Sequence, residues 1–544
     1  MKRPSPPSGT CAGSGCAGGA GAVAIVGIGG VFPGTPGLDG FWSDIAGRRS
    51  AARDVPAGRW LIPPEEAYNP AVGAPDKVYS KRGCFVEGFE LQGEGLQLEE
   101  SFIKGLDRVF HFALHAGRMA FRDAVTEGKL DRRRVGVVLG NIALPTDLFS
   151  AFCRGVLAGG LSRRIPSLGL SPAPEVSAVN RFAAGLPAAV LARGLGLGGG
   201  AYTLDAACAS SLYALKLAVD ELMEGRADAM LTGGLSRPDC LYTQMGFSQL
   251  RALSASGRCS AFDESADGLL VGEGAGLFLL KRLEDAESAG DKVYAVIRGI
   301  GLSNDIDGSL LAPEGGGQLR ALRAAYAEAD WGPAEVDLIE CHATGTPVGD
   351  AVEFSSLQTL WGSGGWRPGA CVLGSVKSNI GHLLTGAGAA GLMKVLLALK
   401  NRTLPPSANF ARPGPRIPLE GSAFRVLTAA EPWQPCAEGV TRKAAVSSFG
   451  FGGINAHVLL EEHAPGPRLA ATPFLKPPGT AGPPAWTPRR PKVPGPKAQA
   501  PSAVAIVGME ARFGDLPGLR AFQEARPLSA SRPRSSRRCS PSRS

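Results

Sequence analysis

Between residues 21 and 463, short apolar runs alternate with stretches whose apolar residues recur every three or four positions. The runs Val23–Gly27, Val135–Gly140, Tyr202–Asp205, Ala229–Thr232, Leu277–Leu280, Val293–Ile297, Leu338–Cys341, Cys371–Gly374 and His457–Leu460 read as strands. Phe110–Ala124, Leu212–Glu224, Leu319–Ala329 and Gly391–Lys400 carry one apolar face each and read as helices. Alternation of the two patterns predicts a layered α/β architecture.

One of these junctions carries chemistry. Tyr202-Thr-Leu-Asp-Ala-Ala-Cys208-Ala-Ser-Ser-Leu212 runs from a strand through a sharp turn into an amphipathic helix with Leu212, Leu215 and Val219 on one face. The turn sets a thiol at a helix N-terminus, where unpaired amide N–H groups favour an anion. A free thiol titrates near about 8.5, and such a position is expected to lower that value and activate Cys208 as a nucleophile. A buried structural cysteine is the alternative reading of the same residue.

The pattern continues differently after residue 463. Twelve of residues 464–501 are proline, so this stretch is expected to be an extended linker. Beyond it, Ala503-Val-Ala-Ile-Val-Gly508 repeats Ala22-Val-Ala-Ile-Val-Gly27, and 11 of 20 positions are identical between 22–41 and 503–522. A second copy of the same domain is expected to start at about 502 and to be cut short by 524, as in a truncated or frame-shifted product. Residues 525–544 hold six Arg and seven Ser and cannot bury a core. Residues 1–20 and 525–544 are therefore expected to be disordered, flanking one domain at 21–463 with a seam between halves near 275.

The 544-residue chain carries a formal charge of +8, which hides an uneven distribution. Residues 464–544 net +11 and residues 1–20 net +2, leaving −5 on 21–463. The basic tail lacks interleaved aromatics and reads as solvated chain, so no nucleic-acid surface is expected. No run of 18 apolar residues occurs, and the charged start lacks an apolar stretch behind it, so neither a membrane span nor a secretory signal is expected. Eleven irregularly spaced cysteines without a CxxC pair, and only six histidines, suggest reduced thiols in the cytoplasm and no structural zinc.

Four further segments converge with Cys208. Leu338-Ile-Glu-Cys-His342-Ala-Thr344-Gly-Thr346 sets a histidine where a strand runs into a small-residue loop with two hydroxyls. Gly374-Ser-Val-Lys377-Ser-Asn-Ile-Gly-His382 places Lys and His before a helix. Ser447-Ser-Phe-Gly-Phe451-Gly-Gly-Ile-Asn-Ala-His457 supplies a glycine-rich turn that a ligand could approach closely. Phe262-Asp263 through Gly276 reads as a structural loop leading into a strand.

At these residues the chain resembles the β-ketoacyl synthase (ketosynthase) family of fatty acid and polyketide synthases, over about 22–463. The resemblance implies an α/β, thiolase-like fold: two similar halves stacked as five alternating layers (αβαβα). It implies that Cys208 is the nucleophile, His342 and His382 the catalytic histidines, and Lys377 a lysine orienting them. Thr344 and Thr346 would contact pantetheine, Phe451 would be the gatekeeper, and the N–H groups of Cys208 and Phe451 would form an oxyanion hole. The implied reaction is decarboxylative condensation of a Cys-bound acyl chain with a malonyl-type thioester on acyl carrier protein. No metal and no cofactor of the domain's own is implied; a homodimer is. Cys341 and Ala343 replace the common Ala and Gly beside His342, and Ala206 and Ala209 replace Thr and Ser beside Cys208; all are small-for-small changes. With Phe110-His-Phe-Ala-Leu-His-Ala-Gly-Arg118 and the repeat at 503, they resemble the synthase subunits of bacterial polyunsaturated fatty acid synthases.

Competing readings are weaker. Gly194-Leu-Gly196-Leu-Gly-Gly199 fits GxGxxG but precedes a strand, whereas a dinucleotide fingerprint follows one. His111 and His115 share a helix face without an accompanying Glu or third ligand, which fits a packed pair. His463 has no argued role. A non-catalytic partner of chain-length-factor type would lack the cysteine, a thiolase needs a second cysteine in the glycine loop, and chalcone-synthase-like enzymes place Asn where His382 stands. An inert truncated synthase fragment is the remaining alternative.

Overall fold

The computed structural model describes residues 22–464 apart from 125–129, 166, 168–175, 308, 310–311, 436 and 438. The expectations for 1–20, the proline-rich linker, the second copy and the basic tail lie outside the described residues.

Eleven strands build the main sheet: β1 (Val23–Val31), β2 (Val135–Asn141), β3 (Ala201–Leu204), β4 (Ala229–Ser236), β5 (Gly274–Arg282), β6 (Ala295–Asn304), β7 (Leu338–Glu340), β8 (Cys371–Gly374), β9 (Phe424–Val426), β10 (Lys443–Gly450) and β11 (Ile454–Glu461). Their order is β9-β8-β7-β10-β11-β6-β1-β5-β4-β2-β3. Two halves are concealed in it. Counted within each half, β3-β2-β4-β5-β1 and β8-β7-β10-β11-β6 both run 3-2-4-5-1, with the same sequence of two parallel and two antiparallel pairings. The halves join through a short antiparallel register, Val23–Ile25 against Ile297–Ala295. Strand β5 straddles the seam expected near 275.

Strand alternation assigns each face its own core. Val23 and Ile25 point into a central cluster with Leu212, Leu215, Leu392 and Leu396, whereas Ala24 and Val26 point the other way, to Phe110, Phe112 and Leu114. The central layer consists of α4 (Ser210–Met223) and α9 (Ala387–Asn401). Outside the first half lie α1 (Arg108–Asp123), α2 (Asp147–Arg164) and α3 (Pro187–Leu195). Next in the chain comes α5 (Cys240–Gln249). Outside the second half lie α6 (Gly315–Ala329) and α7 (Pro347–Trp361); the short α8 (Lys377–Ile380) precedes the central helix. The outer helices of the second half share a third core with Ile339, Leu373, Ala445 and Leu459. These are the five layers of a thiolase-like fold.

A repeated packing device marks the equivalence of the halves. A Cβ on Gly27 or Gly29 of β1 would stand 2.1 Å from the carbonyl oxygens of Ala120 and Ala116 on α1. On Gly299 or Gly301 of β6 it would stand 2.2 and 1.8 Å from those of Ala325 and Ala321 on α6. Each half opens with a Gly-x-Gly strand against an Ala-x-x-x-Ala helix, so backbone meets backbone with no side chain between.

Candidate active site

Cys208 sits on a forced turn between β3 and α4. Ala207, just before it, takes φ 49°, a left-handed conformation costly for a residue with a Cβ. Surrounding contacts hold it there: Ser210 Oγ accepts the Ala206 N–H (2.7 Å) and donates to Ala207 O (2.6 Å), and Ser448 Oγ donates to Cys208 O (2.7 Å). Gly450 closes the turn from the glycine-rich loop, where a Cβ would lie 2.9 Å from Cys208 N.

The expected lowering of the thiol's pKa is overturned. Burial pushes Cys208 up to about 11; the backbone N–H of Phe451, the Lys377 charge and Cys208's own N–H oppose this without cancelling it. The helix N-terminus argument omitted desolvation, which at a buried site penalises the thiolate more than the local dipoles favour it. The same two N–H groups favour negative charge at the sulfur.

Both histidines reach the thiol. His382 Nε2 lies 3.0 Å from Cys208 Sγ, and its Nδ1 accepts the Leu384 N–H at 3.2 Å. An accepting Nδ1 places the ring proton on Nε2, facing the sulfur. His342 stands edge-on to His382, with ring centroids 5.4 Å apart at 83°. Burial first and the Lys377 charge second hold both imidazoles well below their ordinary pKa, with His382 depressing His342 further, so both are neutral. His342 keeps a little exposed surface, yet protein surrounds it closely enough to disfavour its cation.

The loop after β7 is held by two carboxylates of α7. Glu353 accepts the N–H groups of His342 (2.8 Å) and Ala343 (2.7 Å). Asp350 accepts those of Thr344 (3.1 Å), Gly345 (3.2 Å) and, from the Phe262 segment, Phe262 itself (2.8 Å). Burial raises Glu353 to about 7 and Asp350 to about 6 against the lowering effect of those N–H donors. Thr344 and Thr346 share a hydroxyl–hydroxyl contact of 3.0 Å. The Phe262–Gly276 segment proves to frame the second histidine: His382 N–H donates to Leu270 O (2.7 Å) and Gly272 N–H to His382 O (3.0 Å). Phe451 remains partly exposed, 6.1 Å from the Phe247 ring.

The discounted features have structural places. Gly196 is the left-handed C-cap of α3, at φ 64°. His111 Nε2 meets Ile103 O at 2.8 Å, and His115 packs edge-on against Phe89. His463 pairs with Glu287 (3.1 Å). The donor atoms of Cys208, His342 and His382 lie within 4.8 Å of one another, but the positive charge of Lys377 beside them and the neutral thiol suit an acyl acceptor better than a divalent cation. Among the described residues no helix is long and apolar enough to cross a membrane.

Sequence models of known families match this same constellation: beta-ketoacyl synthase N-terminal domain over 20–286, its C-terminal domain over 294–411, and the ketoacyl-synthetase C-terminal extension over 413–478. The chain belongs to the β-ketoacyl synthase family. One component of the phenolphthiocerol/phthiocerol polyketide synthase of Mycobacterium tuberculosis is 37% identical over 449 residues, 81% of this chain and 27% of that protein. The ketosynthase of module 6 of the bacillaene synthase from Bacillus subtilis 168 superposes with a TM-score of 0.71 at 32% identity, covering 82% of this chain and 73% of that one. A PfaC keto synthase–chain length factor gives 0.80 at 34% identity, covering 94% of this chain and 52% of that one. The chain thus spans about a quarter of that mycobacterial relative. Asp350, Glu353, Ser210 and Ser448 are site residues that the sequence reading missed; two carboxylates three apart in the first turns after Thr346 were the available signal.

Proposed function

We propose that this ketosynthase domain extends an acyl chain by decarboxylative Claisen condensation, with Cys208 as nucleophile, His342 and His382 as hydrogen-bond donors, and Lys377 as a charge that adds to burial in keeping both neutral. The observation that carries the reading is a neutral Nε2–H of His382 at 3.0 Å from the Cys208 sulfur, with His342 beside it.

In the first half-reaction the Cys208 sulfur bonds to the thioester carbonyl carbon. The tetrahedral oxyanion takes hydrogen bonds from the Cys208 and Phe451 N–H groups, each contributing about 3–4 kcal/mol in comparable sites. The carbon–sulfur bond to pantetheine then breaks, and the departing thiolate takes up the proton lost by Cys208. In the second, a malonyl thioester occupies the pocket with its pantetheine along Thr344 and Thr346. Its terminal carbon–carbon bond breaks, releasing carbon dioxide, while the electron pair forms an enolate whose oxygen accepts hydrogen bonds from the two imidazoles. The enolate carbon attacks the carbonyl carbon of acyl-Cys208, and the bond from that carbon to the Cys208 sulfur breaks. The β-ketoacyl thioester is then complete, and the released thiolate takes up a proton from solvent. Neutral histidines serve this step because they donate hydrogen bonds without presenting a charge that must first be desolvated.

The partner that fits is a phosphopantetheine-bearing acyl carrier protein within a larger synthase, in the cytoplasm. The likeness to the PfaC keto synthase–chain length factor, with the second copy of the opening motif at 503–522, supports a synthase of the polyunsaturated fatty acid type. A homodimer is supported by the outer edge of β3, which ends the sheet. Tyr202 of that strand exposes apolar surface, as do Val156, Leu157, Leu161 and Phe182 elsewhere in the first half. Mass spectrometry of the full chain after incubation with acyl thioesters, paired with carbon dioxide release from malonyl carrier protein, tests the reading. Acylation at any residue other than Cys208 would overturn it.

A further inference from the structure

Behind the catalytic groups, Glu340 of β7 and Lys394 of α9 form an ion pair at 2.7 Å with both side chains 1% exposed. The same carboxylate accepts the Val376 N–H at 2.6 Å through its other oxygen. Glu340 stands two residues before His342, Val376 is the residue before Lys377, and α9 is the helix that follows His382. Two glycines leave the room for it: a Cβ on Gly374 would meet Lys394 Nζ at 3.0 Å, and one on Gly391 would meet Glu340 Cγ at 2.9 Å.

A buried pair of this kind seldom stabilises a fold more than apolar side chains of the same volume would, because desolvation offsets the attraction. What it supplies is registry. We infer that Glu340 and Lys394 are positioning residues that hold the His342 strand, the Lys377 turn and the helix behind His382 in one alignment, and that they serve decarboxylation rather than acyl transfer to Cys208. The inference rests on the condensing function proposed above. Cys208 is exempt because its turn is held by other groups, Ser210, Ser448 and Gly450.

The test uses the full chain as Lys394→Met and as Glu340→Gln/Lys394→Met, with acyl-N-acetylcysteamine and malonyl-N-acetylcysteamine thioesters as probes. In the double variant the Gln carbonyl still accepts the Val376 N–H and no charge is left unpaired, so it decides the question if the single variant does not fold. Acyl-Cys208 formation should be unchanged in rate and stoichiometry, while carbon dioxide release falls about tenfold or more, as small misplacements of catalytic groups do. A folded double variant with an unchanged ratio of decarboxylation to loading overturns the inference, as does loss of both in equal proportion. A wild-type chain that neither loads nor decarboxylates overturns the condensing reading and this inference with it. A wild type that does both, with the ratio unmoved in the variants, removes only the inference.

Discussion

His382 addresses Cys208 with a defined tautomer: Leu384 N–H occupies Nδ1, so the proton on Nε2 faces the sulfur 3.0 Å away. A donor in that position can stabilise negative charge on sulfur or on an incoming thioester oxygen, but cannot remove the thiol proton. That geometry is compatible with the proposed hydrogen bond to an enolate oxygen.

His342→Ala and His382→Ala should each lower carbon dioxide release from malonyl thioester by about 10²-fold or more, the usual worth of a positioned donor. Acyl loading should fall far less. Cys208→Ala, which replaces one small residue with another at the turn, should fold and take up no acyl group. Intact-mass analysis of the three variants separates the two half-reactions; malonyl decarboxylation at the wild-type rate in either histidine variant contradicts the assignment.

The pH behaviour follows from burial. The folded histidines lie well below about 6.5, so below that value the unfolded chain binds protons that the folded one refuses. His457, pushed down to about 3 by burial, adds to the effect. The histidine contribution to stability should therefore be fully present above about pH 6.5 and lost as pH falls below it, while Glu353 and Asp350, raised to about 7 and about 6, act in the opposite sense over the same range. Cys208 acts at the other end: its thiolate fraction rises tenfold per pH unit toward about 11. Iodoacetamide alkylation of Cys208 should therefore keep accelerating past pH 9, and a plateau below about 8.5 would show an activated thiol instead.

Glu353→Gln should cost about 1–3 kcal/mol, because a carboxamide offers one acceptor oxygen and turns its NH2 against the second backbone donor, His342 or Ala343. The loss should appear both as a lower Tm and as slower decarboxylation. Wild-type values for both would mean that the α7 carboxylate does not hold the loop.

Much of this site was legible because its chemistry lies in short contiguous motifs. The strand–turn–helix around Cys208, the run from His342 to Thr346 and the Lys377–His382 spacing each stand out on their own. Helix starts were unevenly legible: α6 begins at Gly315, under a Glu314 cap that accepts from Gly316 and Gly317, ahead of its first apolar residue, whereas α9 begins at Ala387, where a helix after His382 is expected. Strand β10 went unread since Ala444, Ala445, Ser447 and Ser448 are small and only weakly apolar. The Glu353 and Asp350 contacts depend on how α7 folds back over its own preceding loop, which no single motif announces. Burial was the deepest omission. Residue type and helix position argued for an acidic thiol, and only the packed surroundings show desolvation prevailing.

The last prediction concerns assembly. Strand β3 ends the sheet and, among the described residues, pairs only with β2, leaving backbone donors and acceptors along its outer edge. Leu157 and Leu161, four residues apart, are exposed on α2, and Ile165 at its C-cap, Phe182 and Tyr202 are also exposed. An open edge combined with apolar surface is what a two-fold pairing of like strands covers, and a stable interface needs roughly 1,200–2,000 Å² in all. Light scattering on the full chain at micromolar concentration should give twice the chain mass. Leu157→Glu combined with Leu161→Glu, at positions already exposed in the single chain, should lower that mass without lowering the protomer's own stability. Since Cys208 follows β3 by only four residues, dissociation should also slow acyl loading. A monomeric wild type with full condensing activity would show that the edge of β3 is left uncovered and that the turn holding Cys208 needs no second copy to support it.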